Sequence, residues 1–594
     1  MSTVTSSSGR RSRRSVDSET AQHDAGRGAY LLALLLLSLF AWAPLFYPGY
    51  LQVHSGFLPV FNLADLAASS DKMTWLPTVG VTPDLLRGEG PLAYWLALLL
   101  RPLAGEVGAI KGVFALSIIG VGLGLFAWAR RDLSGFEGDS TGVDDPAANP
   151  KGLLSARAGL LAAVVAMLWP PLLATVFVRG ALAEALFMAF VAWALWAVTG
   201  GRRQVAGGRW QVAGVVAAGG LTAALFWTQA GLALWATMLL LVWAVWPGAA
   251  WRGRGIAAAA VLAGALLGGG LFWLIHQGQG YASQPLDVAA HTVYPYQLFS
   301  PAWGFGLSTP GWQDGLPLQL GFAALGLAAL TVVLGLANRL QATDHRSPIT
   351  GHALSFAAIG APVLILLTTS LARPLWRIEP LAATLTYPWQ LFALVGPLLA
   401  LLAGAVVVVE RRLAVLPLWA AAVALVVLSS YPYLAPRFTQ TLPDPAAPAI
   451  FGAQRVTLVA AAASTGEAGT VGDRPEQDAL PLPLGEGRGE GEALTVTVAW
   501  QALQPVDFDY NVFIHALDAA GNRVAQWDGQ PLAAGEPYPM TAWLAGEIVS
   551  NSYRLELDLA AAPVQRVDVG LYNWQTGERL PVNGDDKVTL EVGP

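Results

Sequence analysis

From Ala29 to about Tyr431 the chain is written in long apolar runs separated by short polar connectors. Eleven runs have about the 20 residues that a helix needs to cross a bilayer core about 30 Å thick. They lie near 29–48, 107–129, 156–178, 182–199, 211–228, 231–247, 255–276, 317–337, 353–372, 388–409 and 413–431. After Tyr431 the period changes. LTVTVAW, YNVFIHAL, RVAQW, SYRLELDL, RVDVGLYN and KVTLEV alternate apolar and polar positions, with turn signals between them at 519–522, 544–547, 575–578 and 583–586. RVTLVAAA (455–462) adds a first strand. Short alternating runs at this spacing predict an antiparallel β-sandwich. The expected fold is a multi-span α-helical membrane protein of about eleven transmembrane helices, followed by an all-β sandwich domain.

The charges between the runs predict an orientation. Basic clusters stand at Arg10–Arg14, Arg130–Arg131, Arg202–Arg203 with Arg209, Arg252–Arg254, Arg339–Arg346 and Arg411–Arg412. Eleven spans put all of them on the cytoplasmic side, as the positive-inside rule requires. The same count places loops 49–106 and 277–316 and the C-terminal domain outside the cytoplasmic (inner) membrane. The apolar stretch Pro91–Leu103 is only about 13 residues, short for a span. Counting it would put Arg130–Arg131 outside, so it reads as a juxtamembrane or re-entrant helix; a short true span is the competing reading. The domains expected are a disordered basic cytoplasmic tail (1–28), a polytopic body (29–431) and an extracytoplasmic β domain (432–594). Ser464–Glu492, rich in Gly, Glu and Pro, reads as a disordered insertion in that domain.

Composition narrows the chemistry. Charged residues are 12% of the chain against 54% hydrophobic, and the net charge of −6 is small for 594 residues, so no nucleic-acid partner is expected. With no cysteine, thiolate chemistry is excluded. The seven histidines show no metal-ligand spacing.

In a lipid-embedded chain the informative residues are the polar ones near helix ends. Loop 49–90 gathers His54, Asp65, Asp71, Asp84, Arg87 and Glu89. VRGALAE (178–184) sets Arg179 and Glu184 across a glycine corner, where they face one cavity or merely stitch two helices. Tyr294–Gly315, which includes Trp303, offers aromatic faces for a sugar or for interfacial anchoring. In the tail, Trp500, Trp527, Trp543 and Trp574 are expected mostly in the core.

At PGYLQVH (48–54), DLLRGEGPLAYWL (84–96), VRGALAE (178–184), QLFSPAWGFG (297–306) and TYPWQ (386–390) the chain resembles the GT-C superfamily of polytopic membrane glycosyltransferases. More closely than the superfamily at large, it resembles bacterial membrane proteins often labelled "6-pyruvoyl-tetrahydropterin synthase-related". The resemblance implies transfer of a sugar from a polyprenyl-phosphate donor to an envelope glycan or protein acceptor. It implies His54, Asp65, Asp84 and Glu184 as catalytic candidates, and Arg87, Arg179, Trp303 and Trp389 as substrate-binding ones, with a divalent metal ion as a possible cofactor. It also implies an acidic residue directly after His54, where this chain has Ser55. A serine hydroxyl is neutral near pH 7 and cannot replace a carboxylate as base. The alternative is therefore a non-catalytic accessory or scaffold subunit of an envelope complex.

Overall fold

The computed structural model describes residues 28–51, 58–77, 85–134, 152–203, 209–277, 288–305, 308, 316–341, 351–439, 456–466 and most of 493–591. It divides into two compact units, one up to Leu442 and one from Pro443 onward.

The first unit is helical. Its helices are α1 (Gly28–Phe46), α2 (Leu58–Ala68), α3 (Leu92–Leu133), α4 (Leu153–Met167), α5 (Pro170–Val178), α6 (Leu182–Arg202), α7 (Arg209–Phe226), α8 (Ala230–Val245), α9 (Trp251–His276), α10 (Phe322–Gln341) and α11 (His352–Thr368), then Pro388–Val409 and Leu416–Tyr433. Each of the eleven predicted intervals contains helix. Six of the helices are long and apolar enough to cross a membrane, or seven if the bent pair α4–α5 is one span; α7, α8, α10 and α11 are shorter apolar helices. The chain is thus a multi-helix membrane protein with an all-β C-terminal region.

α3 contains the disputed stretch Pro91–Leu103 at its start. Its 42 residues at ~1.5 Å each reach ~63 Å, twice a bilayer core. The break is Gly105, at φ 68 and ψ −178, with Pro102 just ahead of it. Pro91–Leu103 is therefore a separate helical arm. It bears the exposed Leu99 and Leu103, as an arm lying against lipid would. Beyond the break α3 packs on α4 and α6.

The body's centre is α4, α6 and Pro388–Val409, every residue of which is buried. α9, α1 and Leu416–Tyr433 are mostly exposed apolar helices and form the periphery. The segment after α1 is tied to the chain's exit from this unit by a two-residue antiparallel pair, β1 (Tyr50–Leu51) with β2 (Phe438–Thr439).

The second unit is built mainly from two antiparallel sheets, with a small antiparallel pair β7 (Leu532–Ala533) and β8 (Glu536–Pro537) beside them. β3 (Val456–Gly466), β4 (Ala493–Ala502) and β9 (Ile548–Glu556) form one, in the order β3-β4-β9. The other runs β11-β10-β5-β6, with β12 also on β10. Its strands are β5 (Asn511–Leu517), β6 (Arg523–Gly529), β10 (Arg566–Tyr572), β11 (Arg579–Leu580) and β12 (Val588–Glu591). Alternate residues of the two sheets share one core, including Val496, Val498, Ile514, Val567 and Val569, as period-two burial demands. Trp500 and Trp543 lie in that core, Trp527 packs on Tyr553, and Trp574 is exposed. Of the expected insertion Ser464–Glu492, the first residues Ser464–Gly466 continue β3, paired with Ala493–Thr495. Residues 467–492 lie outside the described residues.

Candidate functional site

The site is assembled where four sequence-distant pieces meet: the segment before α3, the α5–α6 corner, and the two turns at Tyr294 and Tyr387.

The corner comes first. α4 and α5 bend by 43° at Trp169–Pro170. Ala174–Val178 then widens into a π-turn, closed by Arg179 N donating to Ala174 O at 2.8 Å. Such widened turns re-aim side chains and recur at functional sites. Gly180 follows with φ 62, a left-handed conformation that a side chain resists. The result turns Arg179 back over the first turn of α6, where its guanidinium pairs with Glu184 at 2.7 Å. Glu184 is 3% exposed. It also accepts from Gln390 Nε2 at 3.3 Å and Thr175 Oγ1 at 3.5 Å.

Glu89 is the second carboxylate. Tyr94 Oη donates to it at 2.7 Å, and it accepts a backbone N–H from Ala183. It lies within electrostatic reach of both Arg179 and Glu184. Burial pushes its carboxyl above the usual range, and the Glu184 charge adds to that; the Tyr94 hydrogen bond and the Arg179 charge oppose it. Its segment is strapped to the α7–α8 corner by Gly90 N to Thr228 O (2.7 Å), Leu92 N to Trp227 O (3.0 Å) and Gly231 N to Leu86 O (2.9 Å). A Cβ on Gly231 would stand 1.8 Å from Thr384 O, so only glycine permits this approach.

Aromatic rings wall the pair. The Arg179 guanidinium sits 4.5 Å above Trp389, Trp389 stacks on Tyr387 at 4.8 Å and 11°, and His291 packs on Tyr387. Gln390 fixes this turn. Its Oε1 accepts from Thr386 N and Tyr387 N while its Nε2 reaches Glu184. The same device occurs earlier, where Gln297 Oε1 accepts from Tyr294 N at 2.7 Å. The two turns are near-copies in sequence, YPYQLF (294–299) and YPWQLF (387–392).

The expected site residues separate as follows. Glu184, Arg179 and Trp389 come together. Arg87 is near the strap, donating to Ala382 O at 3.0 Å. Asp65 is exposed, and its carboxylate accepts from Trp75 Nε1 at 2.7 Å. Trp75 meets Tyr94 edge-on, so Asp65 is connected to Glu89 only through other side chains. Trp303 stacks on Tyr433 at 4.7 Å, while Tyr433 bonds to Gln319. His54, Ser55 and Asp84 lie outside the described residues. Among the described residues no group of three or more metal-ligating side chains occurs.

Glu89 and Gln390 were not singled out as site residues from the sequence. Glu89 had a signal: a lone acid between two glycines (RGEG), where close backbone approach is paired with a carboxylate. Gln390 had another, in the repeated YP-aromatic-Gln turn.

No protein-family model and no curated protein matches the chain. Among solved structures, ArnT from Cupriavidus metallidurans is similar. Its form bound to undecaprenyl phosphate is 13% identical, covering 65% of this chain and 78% of that one at a TM-score of 0.30. Its apo form is 14% identical, covering 66% and 78% at a TM-score of 0.29. A likeness of that size carries no argument about the site, which stands on its own residues.

Proposed function

We propose that this chain is a GT-C-like membrane glycosyltransferase that moves a sugar from a polyprenyl-phosphate donor to an envelope acceptor at the outer face of the membrane. The observation that carries this reading is the pair of half-buried Glu89 and buried Glu184 around Arg179, walled by stacked aromatic rings. Rings of that kind hold the apolar face of a sugar. A carboxylate held above its usual pKa is suited to take a proton near neutral pH. Glu89 takes the proton of the acceptor hydroxyl. The acceptor oxygen then bonds the anomeric carbon as the bond from that carbon to phosphate oxygen breaks. The products are the glycosylated acceptor, a polyprenyl phosphate and protonated Glu89, which returns its proton to solvent. Glu184 holds Arg179 and the Gln390 turn in place. In this reading Glu89 replaces His54, Asp65 and Asp84 as the base, and the Ser55 position does not decide activity.

The accessory-subunit reading has one observation in its favour: Glu184 is bonded to Arg179, Gln390 and Thr175, as a purely structural residue would be. The lipid that co-purifies separates the two. Native mass spectrometry of gently solubilised protein should find a polyprenyl phosphate or its glycosylated form. Bulk phospholipid alone would favour the accessory role.

A further inference from the structure

Arg179 is poorly placed to receive a phosphate, because Glu184 and Glu89 already compensate its charge. Another guanidinium is differently situated. Arg373, half-buried at the start of the short helix Arg373–Trp376, donates from Nε to Ala289 O at 3.2 Å and from its fork to Thr292 Oγ1 at 3.4 Å and Tyr294 Oη at 3.1 Å. All three acceptors are neutral, and among the described residues Arg373 has no carboxylate partner. Its guanidinium also stands 5.6 Å from the Tyr294 ring.

Each arginine lies against a ring of a YP-aromatic-Gln turn, Arg179 on the third residue, Trp389, and Arg373 on the first, Tyr294; His291, just before the first turn, packs on Tyr387 of the second. The counter-charge differs as well: among the described residues Arg179 has two carboxylates near it and Arg373 has none. One turn further on, Arg377 is exposed, with Glu379 also exposed beyond it.

The surroundings say what kind of anion fits. Leu371, Leu375, Ile378, Tyr296 and Phe299 are all exposed apolar side chains flanking Arg373 in the sequence of its own segment and of the Tyr294 turn. In a membrane-embedded body, exposed apolar surface faces lipid. A fixed cation beside such a surface complements an amphiphile with an anionic head and an apolar tail. Arginine's planar fork suits phosphate oxygens, and a half-buried cation gains more from pairing than one in free solvent.

We infer that Arg373, with Arg377, binds the phosphate group of an isoprenoid lipid, and that the Tyr294 turn is the lipid-phosphate counterpart of the sugar-facing Tyr387 turn. This rests on the proposed transferase reading and assigns the leaving group of that reaction to a residue outside the Glu89–Glu184 pair. A phosphate shared with ordinary phospholipids has the same chemistry, so the test must separate the two sources.

The test is equilibrium binding to the full chain in nanodiscs, using undecaprenyl phosphate, undecaprenol and phosphatidylglycerol as probes. Wild type should prefer undecaprenyl phosphate to undecaprenol by tenfold or more, and inorganic phosphate should compete where chloride at equal ionic strength does not. Arg373→Ala should lose that preference, and Arg373→Lys should recover part of it. Equal binding of undecaprenyl phosphate by Arg373→Ala and wild type overturns the inference and leaves the transferase reading standing. Equal binding of phosphatidylglycerol and undecaprenyl phosphate to wild type also overturns it, since the site then takes any phospholipid head. If Arg373→Ala does not fold, the competition on wild type and the Arg373→Lys variant carry the same decision. Failure of the transferase reading is recognised separately, by lipid-linked sugar turnover that is indifferent to Glu89.

Discussion

The two ends of α3 and α6 each bury a charge cluster, and the clusters are opposite in character. At the start of α6, two carboxylates, Glu89 and Glu184, surround one guanidinium, Arg179. At its end, about 30 Å away along a 21-residue helix, one carboxylate stands among three arginines. Asp132 pairs with Arg203 at 3.1 Å and accepts from Thr199, while Arg203 also donates to Arg131 O. Arg202 bonds Pro247 O at 3.0 Å and the Trp246 carbonyl, and lies 4.0 Å over Trp243.

The arginines of the basic end are accounted for by helix termini, and Asp132 by its pairing with Arg203 and Thr199. These arginines bond carbonyls that helix ends leave unpaired, where the helix dipole favours cations. The dipole also explains part of the acidic end, because Glu184 sits in the first turn of α6. It does not explain Glu89, a half-buried acid outside any helix and within reach of a second acid. An arrangement that works against ionisation is one that a proton-transferring site uses, and it supports the role proposed for Glu89.

This contrast sets an order of expected effects. Glu184→Gln should lower sugar transfer from a lipid-linked donor by about 100-fold or more if it disorders a base-bearing site, while Asp132→Asn should stay within a few-fold. Turnover of a polyprenyl-phosphate sugar in proteoliposomes measures both, and equal losses would erase the distinction between the ends. Stability should diverge too. Glu184→Ala removes the ion-pair carboxylate from the half-buried Arg179 and frees the Gln390 turn, a loss of about 3 kcal/mol. Asp132→Ala leaves Arg203, already 42% exposed, to solvent, at about 1 kcal/mol or less. Thermal unfolding of the two variants in the same detergent gives the comparison. Gly231→Ala should act between these, costing about 1–3 kcal/mol by overpacking. It should lower transfer as well, because it pushes apart the strap that positions Glu89; unchanged transfer would mean that the strap has no role.

The smallest effect is expected far from either end, in the β region. Asp568 is held below the usual carboxylate range; its burial works the other way, but the Lys587 and Thr589 hydrogen bonds prevail. A lowered folded pKa contributes stability above the unfolded value and loses it as pH falls through the folded one. Unfolding of that region followed between pH 7 and 3 should show this loss in wild type and a shallower acid limb in Asp568→Asn.

Much of this was legible in the sequence. Helix intervals were fixed by apolar run length, because lipid leaves backbone groups no partner outside a helix. The strands followed from period two. The limits of legibility are instructive. Gly105's break inside an apolar run could be inferred only from charge sides, and Ser464–Gly466 looked polar yet continue a strand through ladder pairing. In the site, VRGALAE and TYPWQ located Glu184, Arg179 and Trp389 because each carries its own local turn. Glu89 was passed over because nothing local reveals that Tyr94, Ala183 and Arg179 converge on it. That convergence is tertiary, made by the Gly90 and Gly231 contacts. Asp65 shows the converse: it is an acid in the same loop, and its carboxylate accepts from Trp75 Nε1 rather than joining this cluster directly.

The central claim is that Glu89 is the base. The most direct measurement is the pH profile of sugar transfer for wild type and Glu89→Gln, at saturating lipid-linked donor. A base must be ionised to act, so wild-type rate should rise with pH through Glu89's raised pKa. Glu89→Gln should bind the donor, turn it over at least about 100-fold more slowly, and show no such limb. A Gln variant with wild-type rate and an unchanged rising limb would contradict the account and return the acidic end to the same structural class as the basic one.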